Sequence, residues 1–490
     1  MNVKPRNLGE LRRSGAHAVG VRDEIRMNLI GKMRAGEELF RGIVGYGETV
    51  IPQLVNALLA RHDILLLGLR GQAKTRICRA LAELLDEETP VVPGCPLRSH
   101  PLCPTGRYAE ERLQEERDGM PLEWLPREAR YGEKLATPDV TMADLIGDID
   151  PLKAAHRKLD LSDEEIIHFG IIPRTNRGIF TINEIPDLAP RIQVGLLNIL
   201  EEQDVQIRGF PVRIPLDVLM VFTANPEDYT NRGSIITPLK DRIASQILTH
   251  YPRSLADAHC ITAQESWVER GQGLPEVEIP AFISDILEEI GFQGRGSEYV
   301  DQTSGVSARL PIAARELLVS QVERRLIQGA GSAPVARLID VGQLVPAITG
   351  KVELVYEGEQ EGTTQVARHL IGSACQAVFD RLFPDVIREG SEPEAGVDRY
   401  KPILDWFAAG KRVELSDGMS DEEHLASLVS VPGLEALTAE FLPCGSPAVA
   451  AAAMELVLEG LHQHSLLAKE DLIRGASYSD MLGIMMEGMK

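Results

Sequence analysis

Cysteine is scarce, at six in 490 residues. A disulfide scaffold needs a denser, patterned set, so a reducing, cytoplasmic setting is expected. Basic charge is in deficit: 51 Lys and Arg stand against 73 Asp and Glu, a net of −22. Such a surface repels nucleic acid in general, because binding depends on cations that neutralise phosphates. No apolar run is long enough to span a bilayer, and the first residues lack the layout of a secretory signal. The most apolar late stretch, 448–461, is interrupted by Glu455 and Glu459. Ser446 and Pro447 before it read as an N-cap and first helical position, so a buried helix is expected there. There is no internal repeat and no low-complexity tract.

Against these absences stands one informative stretch. Residues 64–75 read Ile-Leu-Leu-Leu-Gly-Leu-Arg-Gly-Gln-Ala-Lys-Thr, an apolar strand running into a glycine-containing turn. Gly68 and Gly71 let backbone N–H groups curl around phosphate oxygens. Lys74 can reach the outer phosphates, and Thr75 offers a hydroxyl to magnesium at the start of a helix. The position before the lysine, usually glycine in such loops, is Ala73.

Along the chain, residues 1–35 read as a charged helical extension. From 36 to 251, apolar runs alternate with amphipathic helices, which predicts an α/β core with a parallel sheet. Its strands are expected at 64–67, 178–182 and 218–223, and a helix at 192–200. Val205, Ile207, Val212 and Ile214 alternate with polar residues around a 209–211 turn, a hairpin signature. Beyond Pro252 the pattern is mainly helical. A helical lid is expected over 252–349 and a mainly helical extension over 350–490, with 357–363 and 389–396 as loops.

The second apolar strand ends in Asn183-Glu184, at the edge where open α/β sheets bind ligands. Glu184 is suited to orienting and polarising an attacking water. Asn183 occupies a position that normally carries a magnesium-holding Asp; an amide brings no charge, which predicts weaker magnesium binding and slow turnover. Asn225 ends the third strand, where an amide can sense a terminal phosphate. Arg242 follows shortly after; in ring-shaped NTPases such an arginine reaches the neighbour's nucleotide. Arg309 opens a helix in the expected lid, from which it could contact phosphates.

The order of these pieces resembles the AAA+ ATPases of the helix-2-insert group, in particular the magnesium chelatase I subunit and MoxR branch. The loop from Gly68 to Thr75 is similar to the MoxR form, which also has alanine before the lysine. Residues 138–150 and 170–178 are similar to chelatase segments, and 43–45 to the adenine-side loop. The likeness covers roughly residues 40 to 315. It implies a P-loop fold with a helical lid, and ATP and Mg2+ as ligands. It assigns nucleotide contact to Ile43, Val44, Gly45, Gly68, Leu69, Arg70, Gly71, Gln72, Ala73, Lys74, Thr75, Arg76 and Arg309, and metal contact to Thr75 and Asn183. Glu184, Asn225 and Arg242 become the catalytic set: carboxylate, sensor and finger. The hairpin at about 201–215 would be the insert in the second core helix. The resemblance also implies a homo-oligomeric ring, a hexamer, and a partner bearing a von Willebrand factor A-type domain.

Cys95, His100 and Cys103 are zinc-ligand types, but the set lacks a fourth ligand and tight pairing; a family loop accounts for them better. The expected function is an ATP-hydrolysing ring motor that remodels a partner or assists metal insertion. The alternatives are a nucleotide-gated scaffold with little turnover, a true tetrapyrrole chelatase motor, and an enhancer-binding activator. The last lacks its diagnostic Gly-Ala-Phe-Thr-Gly-Ala loop here.

Overall fold

The computed structural model describes residues 4–150, 164–207, 213–226, 233–271, 273–386, 399–472 and 474–481. The chain forms two compact units, Met1–Tyr251 and Pro252–Lys490.

The first unit is built on five parallel strands: β1 (Ile64–Leu67), β2 (Tyr131–Leu135), β3 (Gly178–Asn183), β4 (Val218–Ala224) and β5 (Ser245–Leu248). They lie side by side in the order β5-β1-β4-β3-β2. The three inner strands are apolar because parallel strands covered on both faces have no wet side. Leu65, Leu67, Phe180, Ile182, Met220 and Phe222 pack into one core. Their alternates Ile64, Leu66, Ile179, Leu219 and Val221 enter another, on the opposite face. From β1 the chain crosses β4 and β3 to reach β2, whereas β5 lies on β1's other side. Such a reversal leaves a crevice at the carboxyl ends of the strands.

The amino ends of the strands are tied together by charge. Asp63, Arg130, Arg177 and Asp217 each directly precede a strand. Arg130 is fully buried and donates two 2.6 Å bonds to Glu24, on the Val21–Ala35 helix. Its remaining Nε donates to the Arg177 carbonyl at 2.8 Å. Arg22 donates to both oxygens of Asp63 at 2.7 and 2.8 Å. Asp217 accepts the Val21 N–H at 2.8 Å, at the very start of that helix.

Three antiparallel ribbons interrupt the connections among the described residues, the first being Glu88–Val91 with Glu123–Pro126 between β1 and β2. Asp204–Gln206 pairs with Arg213–Pro215 between β3 and β4; its expected 209–211 turn and Val212 lie outside the described residues. This hairpin is therefore not in the second core helix. That helix, between β2 and β3, is split into Met142–Leu145 and Ile171–Arg174 by another ribbon, Gly147–Ile149 with Ile167–Phe169. Three-residue strands separated by a long charged connection leave too little alternation to read.

In the second unit, one apolar core runs through both the segment expected as lid and that expected as extension. Ile286, Leu310, Ala347, Val352, Leu370, Phe407, Leu456 and Tyr478 all belong to it. The helix Pro447–Gln463 starts on Ser446, whose hydroxyl accepts the Val449 N–H, and it is buried from Ala451 to Leu461. Its two glutamates are paired: Glu455 with His424, and Glu459 with Lys469 and Tyr478. The expected loop at 357–363 is instead helical. Tyr356–Glu361 is a helix, and Thr363–Leu382 begins after Gly362 at φ +88°. Acidic residues suit a helix's first turn, and the glycine only separates two helices. The expected 389–396 loop lies outside the described residues. Strands Val413–Ser416, Gly475–Asp480 and Leu467–Leu472 form a small antiparallel sheet in that order. No described helix is long and apolar enough to cross a membrane.

Candidate functional site

β1 runs into the Gly68–Thr75 loop, and the helix Lys74–Ala80 starts at its far end. Gly68 allows a close approach: a Cβ there would lie 1.9 Å from Thr249 Oγ1 and 2.2 Å from Gln72 Oε1. Gly71 sits at φ +75° and Ala73 at φ +55°. The left-handed region disfavours alanine by roughly 1–2 kcal/mol, so surrounding contacts must hold Ala73 there. Lys74 is 7% exposed. Its ammonium donates to the carbonyls of Gly68 (2.5 Å) and Leu69 (3.0 Å) and to Asn225 Oδ1 (2.6 Å). The loop thus closes on its own lysine.

Asn225 continues that chain of bonds. Its Nδ2 donates to Glu184 Oε2 at 2.9 Å, so one amide joins the lysine to the carboxylate. Glu184 follows β3 in the left-handed region at φ +55°, a strained placement of the kind that gathers at functional sites. Its N–H donates to Thr223 Oγ1 at 3.1 Å, and that hydroxyl donates to Asn183 Oδ1 at 3.2 Å. Lys74, Asn183, Glu184 and Asn225 therefore meet at the carboxyl edge of β1, β3 and β4. Thr75 is half-buried in the first turn of the helix after the loop.

The back of the loop is held by residues that no motif flagged. Tyr46, directly after Gly45, is 4% exposed. Its hydroxyl lies 2.9 Å from the Gln72 carbonyl and 2.7 Å from that of His250. Thr249 donates to Gln72 Oε1 at 2.7 Å, and the Tyr251 hydroxyl to the Arg70 carbonyl at 2.9 Å. His250 Nδ1 lies 2.7 Å from the Tyr251 carbonyl, which makes that nitrogen the donor. Its Nε2 then accepts from Thr49, also at 2.7 Å. Burial pushes the Tyr46 phenol up to about 12, so it stays protonated as a donor. The only available signal was a Thr-His-Tyr run ending β5, and it has no pattern of its own.

Ile43, Val44 and Gly45 are half-buried beside Tyr46, and Arg76 is exposed. Arg242 ends the helix Thr237–Arg242 and is held by Glu201 at 2.7 Å and the Pro238 carbonyl at 3.0 Å. Arg309 is exposed at the start of the helix Arg309–Ile327 in the second unit. Cys95 is buried and Cys103 exposed. Burial first, then Arg177 and Arg130, lowers His100 to about 4. Among the described residues no three metal-ligating side chains cluster. A cavity of about 640 Å3 lies in the second unit, but the buried acids that line it are already paired, Glu459 with Tyr478 at 2.6 Å and Lys469 at 2.9 Å.

No family model matches the chain. Among curated proteins it is similar to a magnesium-chelatase subunit ChlI of Nostoc sp., with 28% identity over 215 residues, 43% of this chain and 54% of that one. A ChlI homolog of Methanocaldococcus jannaschii is 29% identical over 210 residues, 40% of this chain and 52% of the other. The chain thus spans about half the length of the curated relatives it matches. Among solved structures, a putative ATPase of Cytophaga hutchinsonii covers 72% of this chain and 94% of its own at 15% identity and TM-score 0.29. BchI in a magnesium chelatase BchI–BchD complex covers 66% and 98% at 19% identity and TM-score 0.34. The strand order and the glycine loop that ends β1 give the first unit an open parallel α/β sheet of the kind that binds ligands at its carboxyl edge, and over about two-fifths of its length the chain is similar to magnesium-chelatase I subunits.

Proposed function

We propose that the first unit binds ATP with Mg2+ and hydrolyses it, and that copies of the chain assemble into a ring, a hexamer, whose motion remodels a partner protein or assists metal insertion. The observation that carries this reading is the bonded chain Lys74–Asn225–Glu184 beside a glycine loop. Entry of a terminal phosphate would draw Lys74 from the loop carbonyls onto phosphate oxygens. The backbone N–H groups of residues 71–75 would cradle the inner phosphates at the helix start. Asn225 would then bond the terminal phosphate, and Glu184 would be freed to accept a proton from water attacking the γ-phosphorus. The β,γ-bridging P–O bond breaks, and ADP leaves with its electrons. Thr75 and Asn183 would hold magnesium, which when bound neutralises charge on the phosphates.

Arg242 is proposed as the finger that completes a neighbour's site; it would first leave Glu201. Arg309, Ile43, Val44, Gly45 and Arg76 are proposed as further nucleotide contacts. The ring partner with a von Willebrand factor A-type domain belongs to the same proposal. Lys74→Ala should abolish ATP binding, while Glu184→Gln should retain ATP unhydrolysed. Normal hydrolysis by the Glu184→Gln variant would overturn the catalytic assignment.

A second reading is favoured by Asn183, whose carbonyl is neutral and already accepts from Thr223. In it the unit binds nucleotide as a structural signal and turns it over slowly. Phosphate release by the purified chain separates the two.

A further inference from the structure

We infer that two tyrosine hydroxyls, those of Tyr46 and Tyr251, pre-organise the phosphate cradle from behind, as positioning residues of the proposed nucleotide site.

The argument is one of peptide geometry. A trans peptide plane points its C=O and the following N–H in opposite directions. The Arg70 carbonyl shares a plane with the Gly71 N–H, and the Gln72 carbonyl with the Ala73 N–H. Tyr251 donates to the Arg70 carbonyl at 2.9 Å, and Tyr46 shares its proton between the carbonyls of Gln72 and His250. Each bond pulls a carbonyl backward and so aims the next N–H forward, toward the space in front of the loop. Alternate peptides of the loop are thereby fixed in the sense a phosphate needs.

The same bonds account for Ala73. Its φ of +55° is unfavourable for alanine, and holding the peptide before it removes much of the freedom to relax. Thr249 adds a third restraint by fixing the Gln72 side chain. His250 ties the set together: its carbonyl receives Tyr46, and its ring bonds the Tyr251 carbonyl and Thr49. The supports thus come from a single run, 249–251, at the end of β5 and from one buried tyrosine after the 43–45 loop.

Binding is favoured when donors are already in place, because no ordering is left to oppose it. Removing one neutral hydrogen bond should weaken phosphate binding by about 3- to 10-fold. This inference rests on the nucleotide reading, so the test must separate the two. Calorimetric titration with ADP and Mg2+ would be run on the full chain, on Tyr46→Phe, Tyr251→Phe, the double variant, and Tyr108→Phe as control. Among the described residues the Tyr108 hydroxyl bonds groups outside the loop, donating to the Pro93 carbonyl at 3.2 Å and accepting from Arg112 at 3.4 Å. The expected result is a loss of about 3- to 10-fold for each single variant, a larger loss for the double, and none for Tyr108→Phe. In steady-state hydrolysis KM should rise while kcat stays within about twofold, a split that general loosening of the fold would not give. Wild-type binding with a double variant within about twofold of it would overturn the inference alone. Absence of ADP binding by the wild-type chain would overturn the nucleotide reading, and this inference with it.

Discussion

Replacing Gly68 with alanine tests how tightly the loop is built. The new Cβ would lie 1.9 Å from Thr249 Oγ1 and 2.2 Å from Gln72 Oε1. Those two atoms bond each other at 2.7 Å, and their residues are 9% and 6% exposed. Accommodating the methyl group means parting them. Stranding a buried polar group costs about 1–3 kcal/mol, and overpacking costs about as much again. Together these give about 2–6 kcal/mol of destabilisation in the first unit, a fall in its melting temperature on the order of 10 °C. Scanning calorimetry of the full chain measures this, with the first unit's transition identified as the one that ADP raises. Because Gln72 and Ala73 must shift, ADP affinity should fall as well. Adding Thr249→Ala removes the nearer obstacle and frees Gln72 to turn, so the double variant should regain about half the lost stability. A Gly68→Ala chain melting within about 1 °C of wild type, with unchanged ADP affinity, would refute this account of the loop.

Asn183→Asp should place a negative charge at the end of β3 and raise magnesium-dependent phosphate release several-fold; activity unchanged across a magnesium titration would remove Asn183 as a brake on the proposed hydrolysis. Glu24→Ala should destabilise the first unit by about 3–5 kcal/mol, because it leaves the fully buried Arg130 without a counter-charge. Chemical denaturation followed at Trp124 checks this, and Glu24→Leu with Arg130→Met should recover most of the loss. Asp421 is held down to about 2: burial opposes ionisation, but N–H donors from Ala333 and Ser332 and the Arg337 guanidinium outweigh it. Its folded value lies below its unfolded one, so its stabilisation is complete above about pH 4 and lost as pH falls toward 2. Asp421→Asn should flatten that part of the second unit's stability profile in acid.

The sheet was legible because its inner strands are mostly apolar, and Ile64–Leu67, apolar throughout, needed no partner to be read as buried. The polar pair ending β3 and the asparagine ending β4 were readable for the same reason, since a strand's end is plain when its body is uniform. β2 and β5 were not. Tyr131–Leu135 and Ser245–Leu248 are edge strands with mixed burial, and half-exposed edges carry no continuous apolar signal. The supports behind the loop were invisible for a different reason. Tyr46 and Tyr251 stand 26 and 181 residues from the carbonyls they bond, and nothing local marks a side chain whose partner is a distant main-chain oxygen. The small sheet of the second unit escaped because strands such as Leu467–Leu472 carry a run of charged residues, Lys469 to Asp471, in place of alternation.

The charged girdle beneath the strands has a practical consequence for anyone shortening this chain. The first 35 residues are an anchor for the sheet: Arg22 and Glu24 neutralise Asp63 and Arg130, and Val21 satisfies Asp217. Trimming them for crystallisation would uncover an arginine meant for a dry interior and strip the strand bases of their clamp. The trimmed product should precipitate or melt early even though every residue of the proposed nucleotide site is retained.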